Sequence, residues 1–233
     1  MQEIRDNISS ISQDIRDICI RTGKDPDSVT IVAVTKTIDT DRINYAIGYG
    51  IQNIGENKVQ EVMAKFDNVD KNVNWHLIGH LQTNKVKYII DKVAVIHSLD
   101  SISLAEEISR RAEKAGLVKD VLVQVNVAEE ETKFGIEYGE IDSFIKQLSQ
   151  LGGIRVKGLM TIAPHYEDTE FVRPVFRKLK EKFDMLAKVD IPNVEMKYLS
   201  MGMTNDYKHA IEEGSNMVRI GTGIFGARNY DNK

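Results

Sequence analysis

The sequence predicts a single (β/α)8 barrel over residues 1–233, an α/β fold of parallel strands wrapped by helices. Three observations predict it. Eight short apolar runs rich in β-branched residues recur along the chain. Segments with helical spacing separate them. An N-terminal stripe of isoleucines supplies one further helix, needed because little chain follows the last run.

The strand candidates are Val29–Lys36, Gln52–Glu56, Asn74–Gly79, Val93–Ser98, Val121–Val127, Val156–Ile162, Met196–Ser200 and Met217–Gly221. Most are nearly continuous in hydrophobicity, as parallel strands buried on both faces must be. Thr40–Ala46 reads as a helix with Asp39 and Thr40 as caps. Ser101–Ala115 opens on a serine cap and sets Leu104, Ala105, Ile108 and Ala112 on one face. Glu140–Leu151 stripes Ile141, Phe144, Ile145 and Leu148, and Phe171–Val189 is the longest internal helix. Such alternation implies right-handed βαβ units, and eight of them close into a barrel.

After the last strand only a few loop residues and positions 227–233 remain, too few for an eighth covering helix. At the other end Ile4, Ile8, Ile11, Ile15 and Ile18 alternate four- and three-residue steps, which keeps one helix face dry. This helix is expected to cover the gap between the last strand and the first. A dimerising coiled coil is the rival reading. The expected assembly is a monomer.

Hydrophobic residues make up 42% of the chain and charged residues 28%, enough for a self-sufficient core. A net charge of −4 argues against a dedicated nucleic-acid binder. Glu129, Glu130 and Glu131 form the densest acidic cluster, too short for an interaction tail. A lone cysteine, Cys19, permits no internal disulfide and fits a reducing cytoplasm. Its place on the apolar helix makes it a packing residue. The N-terminus lacks a signal-peptide core, and no apolar run approaches the roughly 20 residues that span a bilayer.

In a barrel of this kind, chemistry sits at the C-terminal ends of the strands. Strand one ends VAVTK, and Val32, Val34 and Lys36 share a face. If Val34 points inward, Lys36 enters the mouth. There desolvation would lower its pKa from about 10.4 and supply the neutral amine that forms imines. From position alone, a strand-end lysine reaching solvent is the stronger reading. Strands seven and eight lead into SMGMTND and RIGTGIFG, the two loops where barrels most often bind phosphate. Gly221 and Gly223 allow backbone N–H groups close to an oxyanion, and Ser200, Thr204 and Thr222 add hydroxyls. Thr204 or Asn205 is also a candidate cap for a following helix. Arg219 faces as Gly221 does; it can donate to a ring nitrogen or pair with a barrel carboxylate.

His76 and His80 stand four apart on a strand, about 13 Å, too far for one metal ion. His76 reads as a hydrogen-bonded mouth or core residue. Asn57, just after strand two, is the better ligand contact, and Asn126 a weaker one. Tyr198 is expected in the barrel wall and Tyr207 on the surface.

The motifs VAVTK, GENKVQE, WHLIGHLQTNK, QVNVAEEETKFG, GLMTI and LSMGMTNDYKHAIEEGSNMVRIGTGIFG resemble the pyridoxal phosphate homeostasis family, and together they run from about Val32 to Gly226. The resemblance implies an alanine-racemase-type barrel that holds pyridoxal 5′-phosphate (PLP) as a Schiff base on Lys36. It implies phosphate contacts at Ser200, Gly221 and Thr222, a ring-nitrogen contact at Arg219, and Asn57 near the cofactor. His76 and Thr204 complete the expected binding set. The implied role is PLP supply, with apo-PLP enzymes as recipients and no robust catalysis. His80 departs from the family, in which a small residue or proline is expected.

Two enzymatic alternatives are a PLP-dependent amino-acid racemase with weak activity and a Schiff-base aldolase acting on a sugar phosphate. Racemisation needs an acid/base group on each side of the substrate. Lys36 offers one, and the further domain that supplies the second in alanine racemases is not expected in this chain. An arginine at the ring nitrogen also weakens the cofactor as an electron sink.

Overall fold

Each of the eight apolar runs becomes a parallel strand. A computed structural model describes residues 1–130, 132–164 and 169–227. The barrel strands are β1 (Thr30–Val34), β2 (Asn53–Glu56), β3 (Asn74–Leu77), β4 (Val95–Leu99), β5 (Lys119–Asn126), β7 (Ile154–Met160), β8 (Val194–Met203) and β9 (Met217–Ile220). Every neighbour in that order pairs in parallel, and β9 pairs with β1 to close the ring. Outside it, a two-residue strand β6 (Ile136–Glu137) pairs only with β5. Two residues are too short for a periodic signal, so the sequence does not announce β6.

Period-two alternation sorts the strand side chains into two layers. Val32, Val34, Ile78, Val95, Leu122, Met160 and Met217 fill the barrel, with Tyr198 packed against them. Tyr198 therefore lies in the wall, as expected. The intervening residues, among them Ala33, Ile54, Leu77, Ile96, Leu199 and Ile220, face outward into a larger layer under the helices.

Helix boundaries follow local chemistry. Asp39 caps α2 (Thr40–Gly48), accepting from the Arg42 N–H at 2.9 Å. Ser101 caps α4 (Ile102–Lys114) through the Leu104 N–H. Helices α5 (Ile141–Leu148) and α6 (Arg173–Leu186) are shorter than their apolar patterns at both ends: a 3-10 turn precedes each, and turns follow Leu148 and Leu186. Three short helices have too few turns for a sequence signal: α3 (Val59–Lys65), α7 (Tyr207–Glu212) and α8 (Thr222–Phe225).

The N-terminal helix α1 (Gln2–Arg21) buries Ile4, Ile8, Ile11, Ile15, Ile18 and Cys19. It packs on α7 and α8, which follow the last two strands, and on α2, which follows the first. Its apolar face thus covers the closure of the barrel within one chain. Tyr207 corrects the surface expectation. It is buried between α7 and α1, and its hydroxyl donates to Asp14 at 2.8 Å. The arrival of α1 removes that face of α7 from solvent. Positions 228–233, and Glu131 of the acidic cluster, lie outside the described residues.

Candidate functional site

A cavity of about 230 Å³ opens at the C-terminal ends of β1, β8 and β9. Lys36, Thr204, Arg219, Gly221 and Thr222 all line it, with Val34 at its floor. Lys36 follows β1 by two residues and is half-buried. Because Val32 and Val34 point into the barrel, Lys36 continues their face into the mouth.

Strand β8 decides which hydroxyl reaches the cavity. It continues three residues past the expected end at Ser200, through an irregularity between Ser200 and Met203. Ser200 pairs at the level of Met217, while Met203 reaches the level of Arg219. Ser200 is fully buried one layer below the mouth, and Thr204 takes the rim. Thr204 does not cap α7, whose N-cap is Asp206. Its Oγ1 instead accepts from the N–H groups of Gly221 at 3.3 Å and Gly223 at 3.2 Å. Two backbone donors thus converge on a single oxygen. A Cβ at Gly223 would lie 3.1 Å from the Thr204 methyl, so only glycine permits this approach without displacement.

Arg219 is fully buried beneath the rim. Its guanidinium donates to Ser200 Oγ at 2.6 Å and to the Thr161 carbonyl at 2.8 Å. Burial pushes its pKa down to about 10, and the charge of Asp206 opposes that shift. An arginine nevertheless stays charged at neutral pH. Neither bond goes to a carboxylate, so the ion-pair alternative does not describe its direct partners. Burial raises the Asp206 carboxyl, against the Met203 N–H it accepts and the charge of Arg219.

His76 is not brought to the cavity. It points into the barrel, and its Nδ1 lies 2.8 Å from His97 Nε2. Burial lowers both rings, His76 to about 4 and His97 well below the usual range, so both are neutral at pH 7. Asn57 lines a neighbouring cavity with Lys58, Gln82, Lys85 and His80. The His80 ring stacks on Phe134 with centroids 4.1 Å apart and lies 3.6 Å from Asp100. Asn126 is spent on its own loop, bonding both backbone groups of Glu130. Among the described residues no metal-binding cluster is present.

Three groups near the site escape sequence reasoning. His97 has a legible signal, since it stands two residues after the inward Val95. Asp206 and Glu56 have none, because a carboxylate at or after a strand end reads as solvated. Glu56 is in fact fully buried, accepting from Thr35 Oγ1 and Lys65 Nζ, each at 2.7 Å, directly behind the Lys36 turn.

The family model described as "Alanine racemase, N-terminal domain" matches residues 6–229. The pyridoxal phosphate homeostasis protein of Aquifex aeolicus is 43% identical over 97% of this chain and 98% of its own length. PipY of Synechococcus elongatus, solved with PLP bound, is 30% identical at a TM-score of 0.81, covering 96% of this chain and 100% of that one. An alanine racemase of Clostridium difficile shares the fold alone: TM-score 0.72 and 14% identity, over 100% of this chain and 61% of that one. The motif resemblance, the barrel and these relatives agree, and the chain belongs to the pyridoxal phosphate homeostasis protein family, within the alanine racemase N-terminal domain family.

Proposed function

We propose that this chain binds PLP at the mouth of the barrel, holds it as a Schiff base on Lys36, and keeps it available to apo-PLP enzymes. The single observation that carries this is the convergence of Lys36, the buried Arg219, Thr204, Gly221 and Thr222 on one small cavity, with the Gly221 and Gly223 N–H groups meeting Thr204 at its rim. PLP, when bound, supplies an aldehyde carbon, a pyridine nitrogen and a phosphate. The residues present fit each part. Lys36 Nζ is the nucleophile for the aldehyde, and water is the leaving group. Two backbone N–H groups that already share one oxygen suit a phosphate oxygen, with Thr204 and Thr222 beside them. Arg219 meets the ring nitrogen as a donor and, being charged, keeps it unprotonated.

In this reading Ser200 holds Arg219, His76 is engaged by His97, and Asn57 lines the neighbouring cavity. The carrier reading is favoured over a racemase by what lines the cavity. Besides Lys36, the acid/base group among the described lining residues is the Asp206 carboxyl, which already accepts from the Met203 N–H. His76 is turned into the barrel toward His97. We further propose that the protein works in the cytoplasm. No described helix is long and apolar enough to cross a membrane.

The test is to purify the protein with PLP, reduce it with borohydride and map the label. Label on Lys36, an absorbance band lost in Lys36→Ala, and transfer of PLP to an apo-enzyme are the expected results. Label on another lysine overturns the anchor. Exchange of an amino-acid α-proton in deuterated water at about 1–10³ s⁻¹, an ordinary enzymatic rate, overturns the carrier.

A further inference from the structure

A line of polar groups, buried up to its half-buried end at Asn53, crosses the barrel interior from Arg219 on β9 to Asn53 on β2, and the cavity at the mouth does not account for it. Its links are Arg219 Nη1 to Ser200 Oγ (2.6 Å), Ser200 Oγ to His97 Nδ1 (3.3 Å), His97 Nε2 to His76 Nδ1 (2.8 Å) and His76 Nε2 to Asn53 Oδ1 (3.2 Å). Four strands other than β9 contribute to holding one guanidinium, which is more than packing alone requires.

The two ends dictate the same direction of donation. An arginine only donates, so Ser200 Oγ accepts from it. The Ser200 hydroxyl hydrogen must then point elsewhere, and His97 Nδ1 is the acceptor in reach. That leaves His97 Nε2 protonated and donating to His76 Nδ1. At the far end Asn53 Oδ1 already accepts from Asn74 Nδ2 at 3.2 Å, so it faces His76 as an acceptor and His76 Nε2 must donate. Each ring needs one hydrogen, on Nε2. Burial supports this, because both rings are held neutral.

We propose that His97 is a positioning residue for Arg219: it holds the Ser200 hydroxyl turned so that its lone pairs face the guanidinium, with His76 and Asn53 fixing the His97 ring. The chain of neutral dipoles aims Arg219 at the cavity without neutralising it. A carboxylate in place of Ser200 would orient the guanidinium equally well but would cancel the charge that acts on the bound ring. This role rests on the proposed binding of PLP, whereas the direction of the chain does not.

Two measurements test it. In the ¹⁵N-labelled full chain without added cofactor, long-range ¹H–¹⁵N correlation is expected to find His97 and His76 both protonated at Nε2 only. A hydrogen on His97 Nδ1 overturns the proposal, whether or not the protein binds PLP. The second measurement compares His97→Asn with His97→Gln. Asn places its Oδ1 near the old Nδ1 and still accepts from Ser200. Gln keeps the donor to His76 but loses that acceptor. His97→Asn is expected to retain near wild-type PLP affinity and absorbance. His97→Gln is expected to bind about tenfold more weakly, the scale of one hydrogen bond, with a displaced absorbance maximum. Equal losses in both variants would mean that His97 only packs, and would overturn the positioning role. A wild-type chain that binds no PLP would overturn the proposed function and the role of Arg219 with it, leaving the tautomers to be judged on their own.

Discussion

Glu56 shows how far a residue's role can depart from its type. Its side chain is fully buried, with Oε1 taking Thr35 and Lys65. Its Oε2 and that of Glu61 have no ordinary donor. Burial and the adjoining Glu61 carboxyl raise Glu56 to about 8, while Glu61 is lowered by that same bond, by Lys65 and by the Thr37 N–H. These shifts point to one proton shared by the two acids, donated from Glu56 to Glu61, with Glu56 holding the Thr35 hydroxyl and Glu61 the Thr37 N–H on either side of Lys36. The sign of the pH dependence follows. Between the unfolded value near 4.5 and the folded value near 8 the native state holds the extra proton, so stability falls as pH rises through that window. Glu56→Gln keeps a donor to Glu61 and an acceptor for Thr35 and Lys65 but cannot ionise. The unfolding free energy from urea titration is expected to fall from pH 5 to pH 9 in wild type, by on the order of 2–4 kcal/mol, and to change much less in the variant. Parallel losses in both proteins would exclude the shared proton.

At the scale of elements, α1 does more than cover a gap. Ile11 Cδ1 stands 3.5 Å from where a Cβ on Gly223 would be, and Asn7 Nδ2 donates to the Ile224 carbonyl at 3.0 Å. Asp14 takes both the Tyr207 hydroxyl and Lys208 at 2.8 Å, while Arg21 pairs with Glu212. The helix therefore buttresses the loop whose N–H groups meet Thr204. Burying an isoleucine is worth about 1.5–3 kcal/mol, and truncating it in a packed site costs about 2–5 kcal/mol because a cavity remains. Ile11→Ala is expected to lose that amount in urea unfolding. Ile20→Ala on the same helix, at a position 65% exposed, is expected to stay within about 0.5 kcal/mol. Equal effects at both positions would show that α1 is not docked on this face.

At the scale of the whole molecule, the isoleucine face that a coiled coil would need is spent inside the chain. The expected species is a monomer of 26.4 kDa in light scattering at micromolar concentration. A dimer that dissociates when Ile8 and Ile15 are changed would restore the coiled-coil reading. Closure also explains why so small a site can be stiff. Strand β9 pairs with both β1 and β8, so Lys36, Thr204 and Arg219 are held by three adjacent strands.

The barrel was legible because its determinants are local and periodic. Continuous apolar runs, the Asp39 and Ser101 caps and the isoleucine stripe each carry their own signal, and every expected strand is present within a few residues. Lys36, Thr204, Arg219, Gly221 and Thr222 were legible for a related reason: a barrel collects chemistry at strand ends, and these residues stand at or just past strand ends. Whether a residue near a strand end lies in the mouth or one layer below it is not a local property. It depends on where the ladder slips. The irregularity in β8 sends Ser200 down to Arg219 and His97 and raises Thr204 to the rim. The partners of His76, Glu56 and Tyr207 come from residues 21, 9 and 193 positions away. A buried polar group is defined by what satisfies it, and those contacts exist only once the barrel has closed.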